Sequence, residues 1–308
     1  MGIIYEEENV SLGESSGYLT RLKQGLKDFN ELVVFEHTIF SLPFTLIAMF
    51  TASYSSGGFE WFGWQLLCAG LLAAVTARNF AMAFNRYCDQ KIDASNPRTL
   101  HRPSADGRIS RTEMRIFIIA NALAFVLISS WINTLALALS VPFLAILALY
   151  SYMKYFSSLA HIVLGICLGL APIAGAVAVS GTIPLWSVLL ACGVVFWVAG
   201  FDILYSIQDI EFDKQNALHS IPSWLGMHKS LLVARGCHVL AIVFWSGFLY
   251  ISPLSAHSYF AILISAIMLT YEHYLVARNL SNIPKAFFVV NGYLGVVFLI
   301  ILTMDMLL

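Results

Sequence analysis

Several windows of this chain run for about 18 residues or more with scarcely a charged side chain, the length a helix needs to cross a bilayer. Such windows leave few folds open. In hydrocarbon every peptide N–H and C=O must find its partner inside the protein, so open strands are excluded and a bundle of helices follows. Composition agrees: 59% of the 308 residues are hydrophobic and 11% charged, against about 25% charged in an ordinary soluble domain. Nine spans are expected, at 33–54, 63–87, 112–130, 134–152, 158–180, 185–207, 231–251, 258–277 and 285–306. The expected fold class is therefore all-α, a polytopic membrane protein of nine transmembrane helices.

Charge orients these spans. With the N-terminus on the cytoplasmic side, every Lys and Arg except Arg78 falls in the leader, in 86–115, at Lys154, in 209–235, at Arg278 or at Lys285. All of these lie at the cytoplasmic face, whereas the loops at 55–62, 131–133, 181–184 and 252–257 carry none, as the positive-inside rule requires. The inner membrane of a cell is the expected location. Residues 1–30 form a polar leader without the apolar core of a cleaved signal peptide. Leu22, Leu26, Phe29 and Val33 recur there at helical spacing opposite Arg21, Lys23 and Lys27. That pattern fits a helix lying on the membrane surface, and equally a leader with a solvated basic face. Residues 31–308 make up the membrane domain. A net charge of −1 gives no reason to expect nucleic acid. Five scattered cysteines without a Cys-x-x-Cys pair argue against disulfides and zinc.

The polar residues gather at one face. Asn85, Asp89 and Asp93 are spaced by four at the inner end of the second span, and each such step turns only about 40° round a helix. Their oxygens therefore share one stripe. Spacings of seven and four put Asp202, Asp209 and Asp213 on one face in a second stripe at the end of the sixth span. Carboxylate and amide oxygens without clustered Cys or His suit a hard cation, and Mg²⁺ commonly binds through a few carboxylates together with substrate phosphates. The loop Asn96-Pro97-Arg98-Thr99-Leu100-His101-Arg102-Pro103 offers guanidinium forks matched to phosphate oxygens. Both stripes and this loop fall on the same side, pointing to a metal-diphosphate site. The alternative is a pair of solvated helix ends neutralised by nearby Lys and Arg. Arg78, two turns deeper than Asn85, either pairs with an acid or anchors a bound anion.

These motifs, N-R-Y-C-D-Q-K-I-D with N-P-R-T-L-H-R-P, then D-I-L-Y-S-I-Q-D-I-E-F-D with H-S-I-P, resemble the UbiA superfamily of intramembrane prenyltransferases. The resemblance runs from Glu36 to Asn291 and is strongest to the 4-hydroxybenzoate polyprenyltransferase-like branch, which includes the menaquinone enzyme of the futalosine route. It implies a central cavity, a polyprenyl diphosphate donor, a hydroxyaromatic acid acceptor and a place in menaquinone or ubiquinone biosynthesis. By motif position it implies that Asn85, Asp89, Asp93, Asp209 and Asp213 hold Mg²⁺ and that Asp202 faces the reacting centre. Tyr150 and Lys154 match a Tyr-x-x-x-Lys element that approaches the diphosphate, and Arg98 and Arg102 match the basic loop. Two positions depart from the pattern: Tyr155 replaces a common Arg, and Ser151 a usual Pro. Two other classes use similar residues. A cation carrier would place its carboxylates near the bilayer midplane, often beside broken helices. A CDP-alcohol phosphotransferase would carry its Asp residues within one motif.

Overall fold

The computed structural model describes residues 23–33, 40–55 and 58–308. Helix dominates: α1 spans 23–33, followed by α2 (Leu42–Ser53), α3 (Trp64–Ser95), α4 (Arg111–Ile132), α5 (Thr134–Met153), α6 (Ala160–Ser180) and α7 (Leu185–Ser206). Two short helices, α8 (Ile210–Gln215) and α9 (Ile221–Leu225), precede α10 (Met227–Ile251), α11 (Tyr259–Arg278), the single turn α12 (Ile283–Lys285) and α13 (Asn291–Leu307). The one strand pairing among the described residues is a two-residue ribbon in the α2–α3 loop, Tyr54↔Phe59 and Ser55↔Gly58. The protein is thus an all-α, multi-pass membrane protein, as the charge-free windows required.

Eight segments have the length and apolarity to cross a membrane, beginning with α3. The first expected span, 33–54, is seen as the 12-residue apolar helix α2, while 34–39 lie outside the described residues. The exposed surface is that of a protein bathed in lipid, since Leu127, Trp131, Val141, Val243 and Ile267 all project outward. Burial concentrates instead on α7, where two-thirds of the central window is enclosed. Its Trp197 meets Phe44 of α2 at 5.2 Å, and Trp245 of α10 stacks on the same Phe44 at 5.6 Å. The Trp197 indole also donates to Asn291 Oδ1 at 2.7 Å, and Asn291 Nδ2 donates to Glu272 at 2.8 Å. These two bonds link buried polar groups across α7, α11 and α13.

Without a hydrophobic force between helices in lipid, close packing depends on small residues. On α6, a Cβ at Gly165 would lie 2.2 Å from the Val195 carbonyl oxygen, and one at Gly169 would lie 2.8 Å from the Val195 side chain. Glycine at both positions lets the α6 backbone press against α7. This contact brings the start of α6 against the end of α7, where the site lies.

The leader divides at the described helix. Leu32 and Val33 of α1 are buried and Phe29 stacks on Phe117 of α4 at 4.7 Å, whereas Leu26 is 67% exposed. Leu22 and Arg21 lie outside the described residues. Arg108 ties α1 to the loop before α4, reaching Glu31 at 2.6 Å, Asp106 at 2.7 Å and Asp28 at 3.1 Å.

Candidate active site

About the last three turns of α3 carry Asn85, Asp89 and Asp93 at the charged end of the bundle. Asp89 and Asp93 are nevertheless buried, at 2% and 4% exposure. Such carboxylates need partners, and each has one or more. Lys154 Nζ, at the end of α5, lies 2.5 Å from Asp89 Oδ2, and the Tyr155 hydroxyl donates to Oδ1 at 3.1 Å. Arg102 Nη1 donates to Asp93 Oδ1 at 2.7 Å. The other Asp93 oxygen is buried without a hydrogen bond, 4.0 Å from Arg86 Nη1. Asn85 accepts from Arg86 Nη1 at 3.3 Å.

The basic loop is stitched to α3. Gln90 Nε2 donates to the Ser104 carbonyl at 2.8 Å, Thr99 Oγ1 donates to the Asp93 carbonyl at 2.9 Å, and Asn96 Oδ1 accepts the Arg98 N–H at 2.9 Å. So held, Arg98 reaches the second stripe and forks onto Asp209, Nε at 3.0 Å and Nη2 at 2.6 Å, with Nη1 donating to the Tyr205 hydroxyl at 3.1 Å. Two segments 111 residues apart meet in this ion pair. Burial alone would lower the Arg98 pKa, but the bonds to Asp209 outweigh it and leave the guanidinium above its ordinary value. Burial and the neighbouring Asp89 raise the Tyr155 phenol, so it stays protonated as a donor.

The second stripe is not one straight row. A 3₁₀ turn at Ile207–Asp209 separates α7 from α8, and each of its residues advances about 120° rather than about 100°. Asp209 consequently faces Arg98, Asp213 Oδ2 accepts from Ser220 Oγ at 2.7 Å, and Asp202 faces α6, where its Oδ2 lies 2.7 Å from His161 Nδ1. Spacing on a uniform helix could not show that turn.

Tyr150 and Arg78 line an elongated cavity between α3, α4, α5 and α6. On α5 its lining extends from Tyr150 to Ala136, about 21 Å of helix rise. Phe125, Phe143, Leu147 and Leu168 make it mostly apolar. Arg78 Nη2 also donates to the Val33 carbonyl at 3.3 Å.

A divalent cation fits the donor chemistry at this end. The available ligands are carboxylate and amide oxygens, the kind hard cations take, and Asp93 presents a buried oxygen with no hydrogen bond. Among the described residues no three His, Cys, Asp or Glu side chains stand close enough to hold one ion, and Lys154, Arg98 and Arg102 pair with Asp89, Asp209 and Asp93. The spacing located Asp89, Asp93 and Asp209 at one end of the bundle. It did not find His161, Tyr205 or Ser220, whose partners lie far away in sequence except for the Ser220–Asp213 pair.

A model of the UbiA prenyltransferase family matches residues 41–299. The chain belongs to that family. Among curated relatives, 4-hydroxybenzoate octaprenyltransferase of Enterobacter sp. (strain 638) is 30% identical over 223 residues, covering 72% of this chain and 76% of the relative. The apo structure of a UbiA homolog from Aeropyrum pernix K1 superposes with a TM-score of 0.79 at 30% identity, covering 88% of this chain and 98% of the other. A UbiA homolog from Archaeoglobus fulgidus, solved with DMAPP and Mg²⁺, shares the fold with a TM-score of 0.72 at 17% identity, over 91% and 99% of the two chains.

Proposed function

We propose that this membrane prenyltransferase moves a polyprenyl group from polyprenyl diphosphate to a hydroxyaromatic acid, 4-hydroxybenzoate or a dihydroxynaphthoate, in the biosynthesis of a respiratory quinone. One observation carries the reading: acidic residues of two helices, interleaved with Lys154, Arg98 and Arg102, gather at the charged end of the bundle, where an apolar cavity long enough for a prenyl chain begins. The names of the Enterobacter and Archaeoglobus relatives support donor, metal and acceptor class alike. The positive-inside pattern supports a site open to the cytoplasm on the inner membrane.

Asn85, Asp89, Asp93, Asp209 and Asp213 are the residues assigned to Mg²⁺, which when bound would offset the charge of the diphosphate. The chain's own cations then change partners. Lys154, Arg102 and Arg98 leave carboxylates for phosphate oxygens, where they stabilise the charge that builds as the allylic C–O bond breaks and diphosphate departs with the electron pair. Arg78 and Tyr150, at the cavity wall, contact the donor's headgroup end. The ring carbon of the acceptor attacks the allylic carbon to form the new C–C bond. Asp202 takes the displaced ring proton or polarises the acceptor's hydroxyl. A carrier reading loses ground because the carboxylates lie at one end of the bundle and not at mid-membrane.

The test is direct. Purified protein is incubated with Mg²⁺, a polyprenyl diphosphate and a panel of hydroxybenzoates and dihydroxynaphthoates, and products are weighed by mass spectrometry. A product heavier than one acceptor by the prenyl group less one hydrogen is expected; no prenylated product from any of them would overturn the reading.

A further inference from the structure

His161 has no place in the scheme above, yet it is 4% exposed and both of its ring nitrogens are used. Nε2 accepts the backbone N–H of Ile221 at 3.2 Å, and Nδ1 lies 2.7 Å from Asp202 Oδ2. An imidazole nitrogen that accepts a hydrogen bond carries no proton, so in the neutral ring the proton sits on Nδ1 and is donated to Asp202. Protonating Nε2 as well would set two N–H groups against each other. The Ile221 amide therefore selects the tautomer, and the carboxylate receives a neutral donor in a fixed direction.

The amide belongs to a strap that touches Asp213, Lys154 and His161. In four successive residues, the Leu218 N–H donates to the Asp213 carbonyl at 2.8 Å and the His219 N–H to the Lys154 carbonyl at 2.7 Å. Ser220 Oγ donates to the Asp213 carboxylate, and the Ile221 N–H to His161. A capping box between Ser220 and Ser223 fixes the strap's own geometry at the start of α9. His161 sits one turn before Gly165, the close-packing point of α6 on α7, so its Cα is held as firmly as its ring.

We infer that His161 is a positioning residue for Asp202: its Nδ1–H, set by the Ile221 amide, aims the carboxylate at the acceptor and leaves its second oxygen to take the proton. This rests on the prenyl-transfer reading and on Asp202 as the group that meets the acceptor. It separates His161 from a plain structural anchor, because each role uses a different nitrogen.

Two substitutions divide the nitrogens. His161→Asn places an amide near the Nδ1 position and keeps a donor for Asp202; His161→Gln reaches the Nε2 position and keeps an acceptor for Ile221. The full-length enzyme is assayed for kcat, for KM of donor and acceptor, and for Mg²⁺-dependent binding of a prenyl diphosphate. Loss of a hydrogen bond to a charged group is worth about 10- to 100-fold, so His161→Gln should lower kcat by that factor while donor binding and donor KM stay as in the wild type. His161→Asn should retain most of the turnover. The reverse order, Gln active and Asn impaired, would overturn the positioning role and leave His161 as an anchor for the strap. Equal loss in both variants together with lost donor binding would overturn it too. If the wild type itself made no prenylated product, the reading of the site would fail, and this role with it.

Discussion

Replacing Arg98 with Gln should have opposite effects on the two halves of the substrate complex. The Arg98 fork holds Asp209 through bonds of 3.0 and 2.6 Å. Hydrogen bonds to charged groups are worth about 1.5–3 kcal/mol, but the Arg98 side chain is 34% exposed and Asp209 16%. Screening therefore reduces the whole pair to about 1–2 kcal/mol. A metal ion approaching Asp209 must displace this cation, so its removal should tighten binding of Mg²⁺ alone by about 5- to 30-fold, at about 1.4 kcal/mol per tenfold. The diphosphate, by contrast, loses a guanidinium partner and should bind about tenfold or more weakly in the presence of Mg²⁺. Titration calorimetry on the solubilised protein, first with Mg²⁺ and then with a prenyl diphosphate, reads both. Mg²⁺ binding that is unchanged or weaker in the variant would refute the exchange of partners.

Asp202→Asn keeps the size of the side chain and one oxygen; it should leave donor and Mg²⁺ binding intact and lower turnover with the aromatic acceptor about 100-fold or more, as steady-state kinetics would show. Gly165→Val puts a Cβ 2.2 Å from the Val195 carbonyl. It should cost about 1–3 kcal/mol, visible as a lower Tm, whereas Gly247→Ala, whose new Cβ would meet only Leu189 at 3.5 Å, should be silent. The Arg108 side chain holds the Glu31 carboxyl below its ordinary pKa. The α1 anchor is thus fully present above about pH 4.3, the unfolded value, and is lost as pH falls through the lower folded one. Hydrogen exchange of α1 should rise on that acid side by an amount worth below about 1 kcal/mol, and the pH step should vanish in Arg108→Gln.

The sequence made the membrane fold legible because bilayer thickness dictates helix length: α4 through α7 begin and end within two residues of their expected limits, whereas α3 begins within one residue of its limit and runs eight residues past it to Ser95. The carboxylate positions were legible for a similar reason: four-residue spacing survives in any regular helix, as Asn85, Asp89 and Asp93 show. What could not be read were departures from regularity and contacts across the chain. The 3₁₀ turn at Ile207–Asp209 splits the second stripe without any Gly or Pro to announce it. The α2 span was expected to begin at 33, yet its described helix starts at Leu42, beside Pro43, a residue favoured in a helix's first turn. Nothing near His161 in the sequence marks its role, since Asp202 and Ile221 lie 41 and 60 residues further on. Arg98 was expected to face phosphate; its partner in the structure, Asp209, depends on how the loop folds back over the bundle.

The central claim is that the two acidic stripes form one donor site, and a double-mutant cycle tests it most directly. Mg²⁺-dependent binding of a prenyl diphosphate is measured for the wild type, Asp89→Asn, Asp209→Asn and the double variant. Either single change should remove most of the Mg²⁺-dependent affinity, and the second change should add little to the first. Losses that simply add, or a single variant that binds like the wild type, would contradict a shared site.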